Sequence, residues 1–337
     1  PVGEEVWREV AGSNLVSVHE VRLTGLTPGT RYAYQVDMRD DGRWWPVRAP
    51  TFRTAPSYGD GTHRVVVYGD TRSVPDAHQR VVNAIASAEP DLILHVGDLV
   101  YHGRIYDEWG PQFFSPAADL LAETPVIVAW GNHEYYGEGT LWPARFFSPP
   151  TGGSETWYAF TYGCSRFLGL NSYEDAAGVS LAPGSEQHTW LSAEMASSAY
   201  SAASWQFAFF HHPPYTSGPH LSEETTAREN LVPLFETYGV DMVFNGHNHH
   251  YERSLTSGIH YVVTGGGGAP LRGFPNLDQN PYSVVRAETY EFVTLDIDCR
   301  AGRVVFNAWD VNGSVIDGPI VLTDDRYGVY LPVVAGR

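Results

Sequence analysis

Five times along this chain an apolar run stops abruptly on polar residues able to hold a cation. RVVVYGD ends at Asp70, DLILHVGD at Asp98, PVIVAWGNHE at Asn132, His133 and Glu134, WQFAFFHH at His211 and His212, and VDMVFNGHNH at His247 and His249. Apolar runs without alternation mark strands buried on both faces. Helical periods in AHQRVVNAIASAE, after Pro75, and in RENLVPLFETYG, before Val240, predict the helices that cover them. The chain is therefore expected to be a layered α/β fold, and side chains at the carboxyl ends of such strands face one crevice.

The flanks read differently. Between Val16 and Thr54 the short alternating runs VSVHEVRL, RYAYQVDMR and APTFRT, separated by LTPGT and DDGRW, predict antiparallel strands. LTGLTPGTRYAYQV followed by TFRTAP resembles the second half of a fibronectin type III-like sandwich, so residues 1–56 are expected to form a small, incomplete all-β module. Residues 57–63, SYGDGTH, are the expected linker, 64–315 the catalytic α/β domain and 316–337 a C-terminal tail. EFVTLDID and RVVFNAWDV are expected to pair as a hairpin around CRAG.

A length of 337 residues accommodates about two domains. With 43% hydrophobic and 18% charged residues the chain is globular and not disordered. No apolar run reaches the ~18 residues of a membrane span. All 21 basic residues are Arg against 39 acidic ones, and the net charge of -18 repels polyphosphate, which excludes a nucleic-acid scaffold. Cys164 and Cys299 are too far apart for a zinc ribbon or C-x-x-C motif, and they are either one long-range disulfide or two buried thiols. The start at Pro1 reads as a mature or trimmed chain, expected to be secreted or extracytoplasmic. Oligomeric state is not encoded in any feature of the sequence.

Asp70 in YGD, Asp98 in GDLVY, Asn132 and His133 in GNHE, His211 in HHPPY, and His247 and His249 in GHNHH follow one chain order. Over roughly residues 64 to 310 that set resembles the calcineurin-like metallophosphoesterase superfamily. Tyr101 in GDLVY, the GHNHHYERS extension and the fibronectin-like module are similar more particularly to bacterial purple acid phosphatases. The resemblance implies a four-layer αββα sandwich and two metal ions that hydrolyse a small phosphate monoester. Phosphodiesters or nucleotides are the alternative substrates, and a non-catalytic binding protein working through its fibronectin-like module is the reading from another class.

By the same resemblance Asp98 bridges the ions, Asp70, Tyr101 and His249 complete one position, and Asn132, His211 and His247 complete the other. A Tyr101 phenolate favours Fe(III), with Zn(II), Fe(II) or Mn(II) at the second position; otherwise Tyr101 packs beside its turn. His247 and His249 are expected to alternate along an extended loop and so to serve both ions. The sequence departs from the family at Arg72, where purple acid phosphatases have Gly and other members a metal-binding His. Arg72 is then a bidentate phosphate donor or an exposed loop residue. The resemblance makes His133 a substrate contact and His220 the proton donor to the leaving group, against a surface-loop role for His220.

Several neighbours are expected to support rather than act. His212 and His250 orient adjacent groups, Asn171 supports the site, and Gly265–Gly268 form a loop beside it. Asp76 is expected to cap the helix after Pro75, with His78 on that helix's surface. Glu134 either acts or hydrogen-bonds within its turn. A triad hydrolase is disfavoured because no G-x-S-x-G elbow is present.

Overall fold

The computed structural model describes residues 18, 20–40, 43–48, 50–150, 153–220 and 224–324. RYAYQVDMR is two strands, β1 (Arg31–Ala33) and β2 (Val36–Asp40); β2 pairs with β3 (Arg43–Arg48) and β1 with β4 (Thr51–Arg53). The strand predicted at 16–23 lies partly outside the described residues, and its described part, Val18 and residues 20–23, is in no strand, with 20–23 exposed. Alternation alone supplies no pairing partner, and no described strand offers one.

Thirteen further strands build two mixed sheets. They are β5 (Thr62–Tyr68), β6 (Leu92–His95), β7 (Val126–Val128), β8 (Tyr158–Tyr162), β9 (Ser165–Gly169), β10 (Trp205–Phe209) and β11 (Met242–Asn245), followed by β12 (Tyr251–Thr256), β13 (Ile259–Thr264), β14 (Ser283–Ala287), β15 (Glu291–Asp298), β16 (Arg303–Asp310) and β17 (Val315–Thr323). One sheet runs β17-β16-β15-β5-β6-β7 and the other β14-β12-β13-β11-β10-β9-β8. The strands that precede the polar motifs are parallel neighbours within each sheet.

Alternation of side chains sorts four layers. Val65, Val67, Leu92 and Leu94 from one sheet meet Phe167, Phe207 and Phe244 from the other in a shared core. Val66, Tyr68 and Ile93 face outward onto Val81, Ile85 and Leu120 of the helices Pro75–Ser87 and Ser115–Glu123. Ala208 and Val243 face Leu191 and Phe235 of the helices Glu186–Met195 and Val232–Tyr238. The result is the expected αββα sandwich. Each fully buried Val or Phe contributes about 1.5–3 kcal/mol to it.

Two details of the first helix differ from expectation. Its N-cap is Val74, with Pro75 in the first turn and no capping side chain, so Asp76 complements the helix N-terminus by its charge alone. His78 is fully buried, because its Nδ1 lies 3.0 Å from the Gln112 carbonyl and its ring stacks between Tyr68 and Phe113.

At the other end, β15 and β16 form the predicted hairpin with Asp298 opposite Arg303. Pairing continues past residue 315, where β17 adds an edge strand to β16. Cys164 and Cys299 form a disulfide with Cα atoms 5.6 Å apart, which ties the β8–β9 turn of one sheet to the β15–β16 turn of the other. No helix among the described residues is long and apolar enough to cross a membrane.

Candidate metal centre

The loops after β5, β6, β7, β10 and β11 interlock. The Asp70 N–H donates to Gly97 O at 3.0 Å, the Gly246 N–H to His211 O at 2.9 Å, and the His133 N–H to Asp98 Oδ1 at 3.0 Å. Both Asp70 oxygens accept the His247 N–H, at 3.1 and 3.0 Å, which joins one sheet's loops to the other's. Asp70, Asp98 and His247 have φ of 59°, 59° and 67°. That left-handed conformation costs roughly 1–2 kcal/mol per non-glycine residue and persists because these hydrogen bonds hold it. Gly131 and Gly246 are required by close approach, since a Cβ there would run into Asp98 Oδ1 and Asp70 Oδ2 respectively.

Two buried ligand groups result. Asp70, Asp98 and His249 form one, with ligand atoms within 4.8 Å of one another, and His211, His212 and His247 form the other. Asp98 also reaches the second group, its Oδ1 lying 3.3 Å from His211 Nε2. A carbonyl only accepts, so His211 Nδ1 donates to Val96 O at 2.9 Å and His249 Nδ1 to Pro270 O at 2.8 Å, turning each Nε2 inward. Burial opposes a charge on His211, but the Asp98 carboxylate beside it raises it to about 9, whereas His249 presents a lone pair. His247 and His249 fall in different groups, and the turn at His247 is left-handed, not the extended loop from which their alternation was expected.

The donor set fits a pair of cations. Asn132 Nδ2 donates to the Tyr136 hydroxyl at 2.9 Å, while Asn132 Oδ1 is buried and has no hydrogen-bond partner among the described residues. An acceptor left so costs free energy that a cation would recover. Charge makes the same case. Burial, together with the nearby Asp98 charge, pushes the Asp70 carboxyl well above its ordinary range, against the pull of His211 and Arg72. Burial opposes ionisation of Asp98 too, yet His211, His133 and Arg72 hold it well below that range. Two carboxylates this close call for positive charge between them.

The remaining predicted residues surround these groups. Arg72 is only 9% exposed, which removes the exposed-loop alternative. Tyr101 is 44% exposed, and its ring packs on His133 and His102, 5.0 and 4.5 Å between centroids, and under the Arg72 guanidinium. His133 gives Nδ1 to Tyr101 O at 2.6 Å and turns Nε2 to within 3.8 Å of Asp98 Oδ2. The His220 ring sits 4.7 Å from that of His247, and its backbone N–H and C=O both engage the Asn248 side chain at 3.3 Å. His212 Nδ1 lies 2.9 Å from Ser172 Oγ, His250 Nδ1 is 3.0 Å from Arg272 O, and Asn171 Nδ2 donates to the Tyr135 hydroxyl at 2.5 Å. Gly267 donates to Gly69 O at 2.9 Å, so the glycine run does border the first loop.

Buried acids brace the centre from behind. Glu134 accepts N–H groups from Asp98, Leu99 and Gly131 at 2.8, 2.8 and 2.6 Å, which resolves its role as a brace between two ligand loops. Glu291, which the sequence did not single out, accepts the Gly266 N–H at 3.0 Å and pairs with the Thr264 hydroxyl. Burial pushes Glu291 up to about 8 from an ordinary 4.5. Between those values the folded chain keeps a proton that the unfolded chain gives up, so stability falls as pH rises from about 4.5 to about 8. In metal-stripped protein, the Tm advantage of Glu291→Gln over the native chain is therefore expected to grow between about pH 5 and pH 8. An advantage that does not change with pH would show that Glu291 ionises normally.

Matches to known proteins agree with this geometry. The family profile described as calcineurin-like phosphoesterase matches residues 63–251, more than half of the chain, which belongs to that family. Purple acid phosphatase 15 of Arabidopsis thaliana is 30% identical over 292 residues, covering 74% of this chain and 53% of that protein. Probable inactive purple acid phosphatase 27 of the same plant is 25% identical, covering 92% of this chain and 58% of its own length. An uncharacterised protein of Mycobacterium tuberculosis is 31% identical over 74% of this chain and 53% of its own. The chain spans about half the length of the curated relatives it matches. A purple acid phosphatase from yellow lupin (Lupinus luteus) seeds shares the fold, with a TM-score of 0.76 at 23% identity over 93% of this chain and 64% of that one.

Proposed function

We propose that this chain is the catalytic part of a purple acid phosphatase-type enzyme that hydrolyses phosphate monoesters with two metal ions. The observation that carries the reading is one carboxylate, Asp98, facing both ligand groups. In this reading Asp98 bridges, Asp70, His249 and Tyr101 hold one ion, and Asn132, His211 and His247 hold the other. Such a pair of ions supplies an activated water and neutralises the charge of the transferred phosphoryl group. In this reading Arg72 donates to phosphate oxygens, and His133 does so from Nε2 only as the imidazolium, since its neutral ring gives the Nδ1 proton to Tyr101 O. A Tyr101 phenolate fits Fe(III), with Zn(II), Fe(II) or Mn(II) beside it. The disulfide suits an extracytoplasmic location, and residues 1–56 are read as a fibronectin-like module.

His220, clamped by Asn248 beside His247, is positioned to protonate the leaving alkoxide. His220→Ala is expected to slow esters with poor leaving groups by roughly 10²- to 10⁴-fold while sparing activated aryl phosphates. Equal losses on both would assign His220 to binding.

The metals have their own test. Concentrated holoprotein is expected to be violet and Tyr101→Phe to bleach it, since only the phenolate hydroxyl is removed. Colourless protein carrying two divalent ions would take iron, and Tyr101 as its ligand, out of the reading.

Hydrolysis of an aryl phosphate and a bis-aryl phosphate, before and after chelation, tests the function itself. Faster turnover of the monoester, lost on chelation, is expected. Preference for the diester would move the substrate to phosphodiesters, and metal-loaded protein inert on both would favour a binding role.

A further inference from the structure

Arg72 does at Asp70, Asp98 and His249 what a cation would do. Its Nε donates to Asp98 Oδ2 at 3.2 Å, and Nη2 lies 3.1 Å from His249 Nε2. The His249 proton is committed through Nδ1 to Pro270 O, so Nε2 presents a lone pair and the guanidinium donates to it. Two of the three residues in that group thus direct acceptor atoms at one positive charge that cannot be removed by deprotonation. The second position has no equivalent among the described residues. Asn132 Oδ1 has no partner there, and His211 Nε2 faces His247 Nδ1 at 3.2 Å and Asp98 Oδ1 at 3.3 Å, an imidazole that can give up its proton to an incoming ion as a guanidinium cannot.

We propose that Arg72 is a built-in cation that holds the Asp70–Asp98–His249 position, so that the two metal positions load in order. The Asn132–His211–His247 position fills first. The other fills only when the guanidinium swings away from those ligands; it already lies over the Tyr101 ring, its carbon 5.6 Å from the centroid, and can keep that contact as it moves. Arg72 acts here as a positioning residue, through the ligands it occupies. A second positive charge within hydrogen-bond reach of the same ligands repels an incoming ion and weakens it on the order of tenfold or more. The inference rests on the metal-centre reading given above.

Calorimetric titration of metal-stripped protein with Zn(II) alone tests it. The native chain is expected to show two unequal classes of site. Arg72→Gln, which removes the charge, is expected to tighten the weaker class by about tenfold or more and to leave the stronger within about twofold. Arg72→Ala is expected to do the same and serves if the glutamine variant folds poorly. Two equal sites in the native chain, or variants that tighten both classes alike or neither, would overturn the ordering while leaving the proposed function standing. Absence of zinc binding in native and variant proteins alike would overturn both.

Discussion

Asp98→Asn is expected to reduce turnover by roughly 10²- to 10³-fold, the loss that follows removal of a single electrostatic partner from a preorganised site. The substitution keeps the shape of the side chain and the acceptor that receives the His133 N–H at 3.0 Å. It removes the negative charge shared by His211 and Arg72, and its amide would turn a donor toward Arg72 Nε. Elemental analysis should show fewer than two ions per chain. Folding should survive, because the core between the sheets is built from residues such as Val67 and Phe207 that do not depend on the centre. A variant that retains both ions and near-normal kcat would end the bridging assignment.

The second large effect is expected at Glu134, which touches no candidate ligand side chain. Glu134→Ala leaves the N–H groups of Asp98, Leu99 and Gly131 without their acceptor in a fully buried turn. Each buried donor left unpaired costs about 1–3 kcal/mol, so several kcal/mol should be lost out of a total that is typically 5–15. Urea unfolding measures this directly. The loops carrying Asp98 and Asn132 should also loosen, so metal affinity should fall with stability. Burial and the Asp98 charge push Glu134 up to about 7, so near neutral pH the native acid is poised between its two forms. Glu134→Gln keeps one acceptor oxygen and should lose less. A loss below about 1 kcal/mol for the alanine variant would show that water or a shifted backbone takes over the three donors.

The strands and the convergence of the polar residues that end them were legible because burial on both faces writes a continuous apolar run, and the residues that end it have few other reasons to be there. Gly131 and Gly246 were legible as parts of their motifs for a reason that the coordinates supply, the approach of Asp98 and Asp70 to their Cα atoms. What could not be read was the bracing. Glu291 reaches a backbone 25 residues away and Glu134 one 36 residues away, and no local period records such a partnership. His78 looked like a surface residue because helical period predicts a face and not what covers it; the segment around Gln112 and Phe113 does the covering. The left-handed turn at His247 runs against local preference, which favours glycine there, and it is stabilised by Asp70, 177 positions earlier. In the flanking module the run at 16–23 lies partly outside the described residues, and its described part follows a local pattern without a described strand to pair with.

That 177-residue reach between Asp70 and His247 sets an order of assembly. A chain made from its N-terminus presents Asp70, Asp98 and Asn132 long before the histidines at 211, 247 and 249 exist. Oxygen donors alone suit hard ions and hold them loosely; imidazole nitrogen broadens the choice to zinc and iron. Even then β5 lacks its neighbour β15, whose residues come later still. From residue 132 until residue 211 has been made, the nascent chain therefore holds the oxygen donors without these histidines, and the β5 edge stays unpaired with β15. In the metal-centre reading, the metal is therefore selected only after residue 249 has been made.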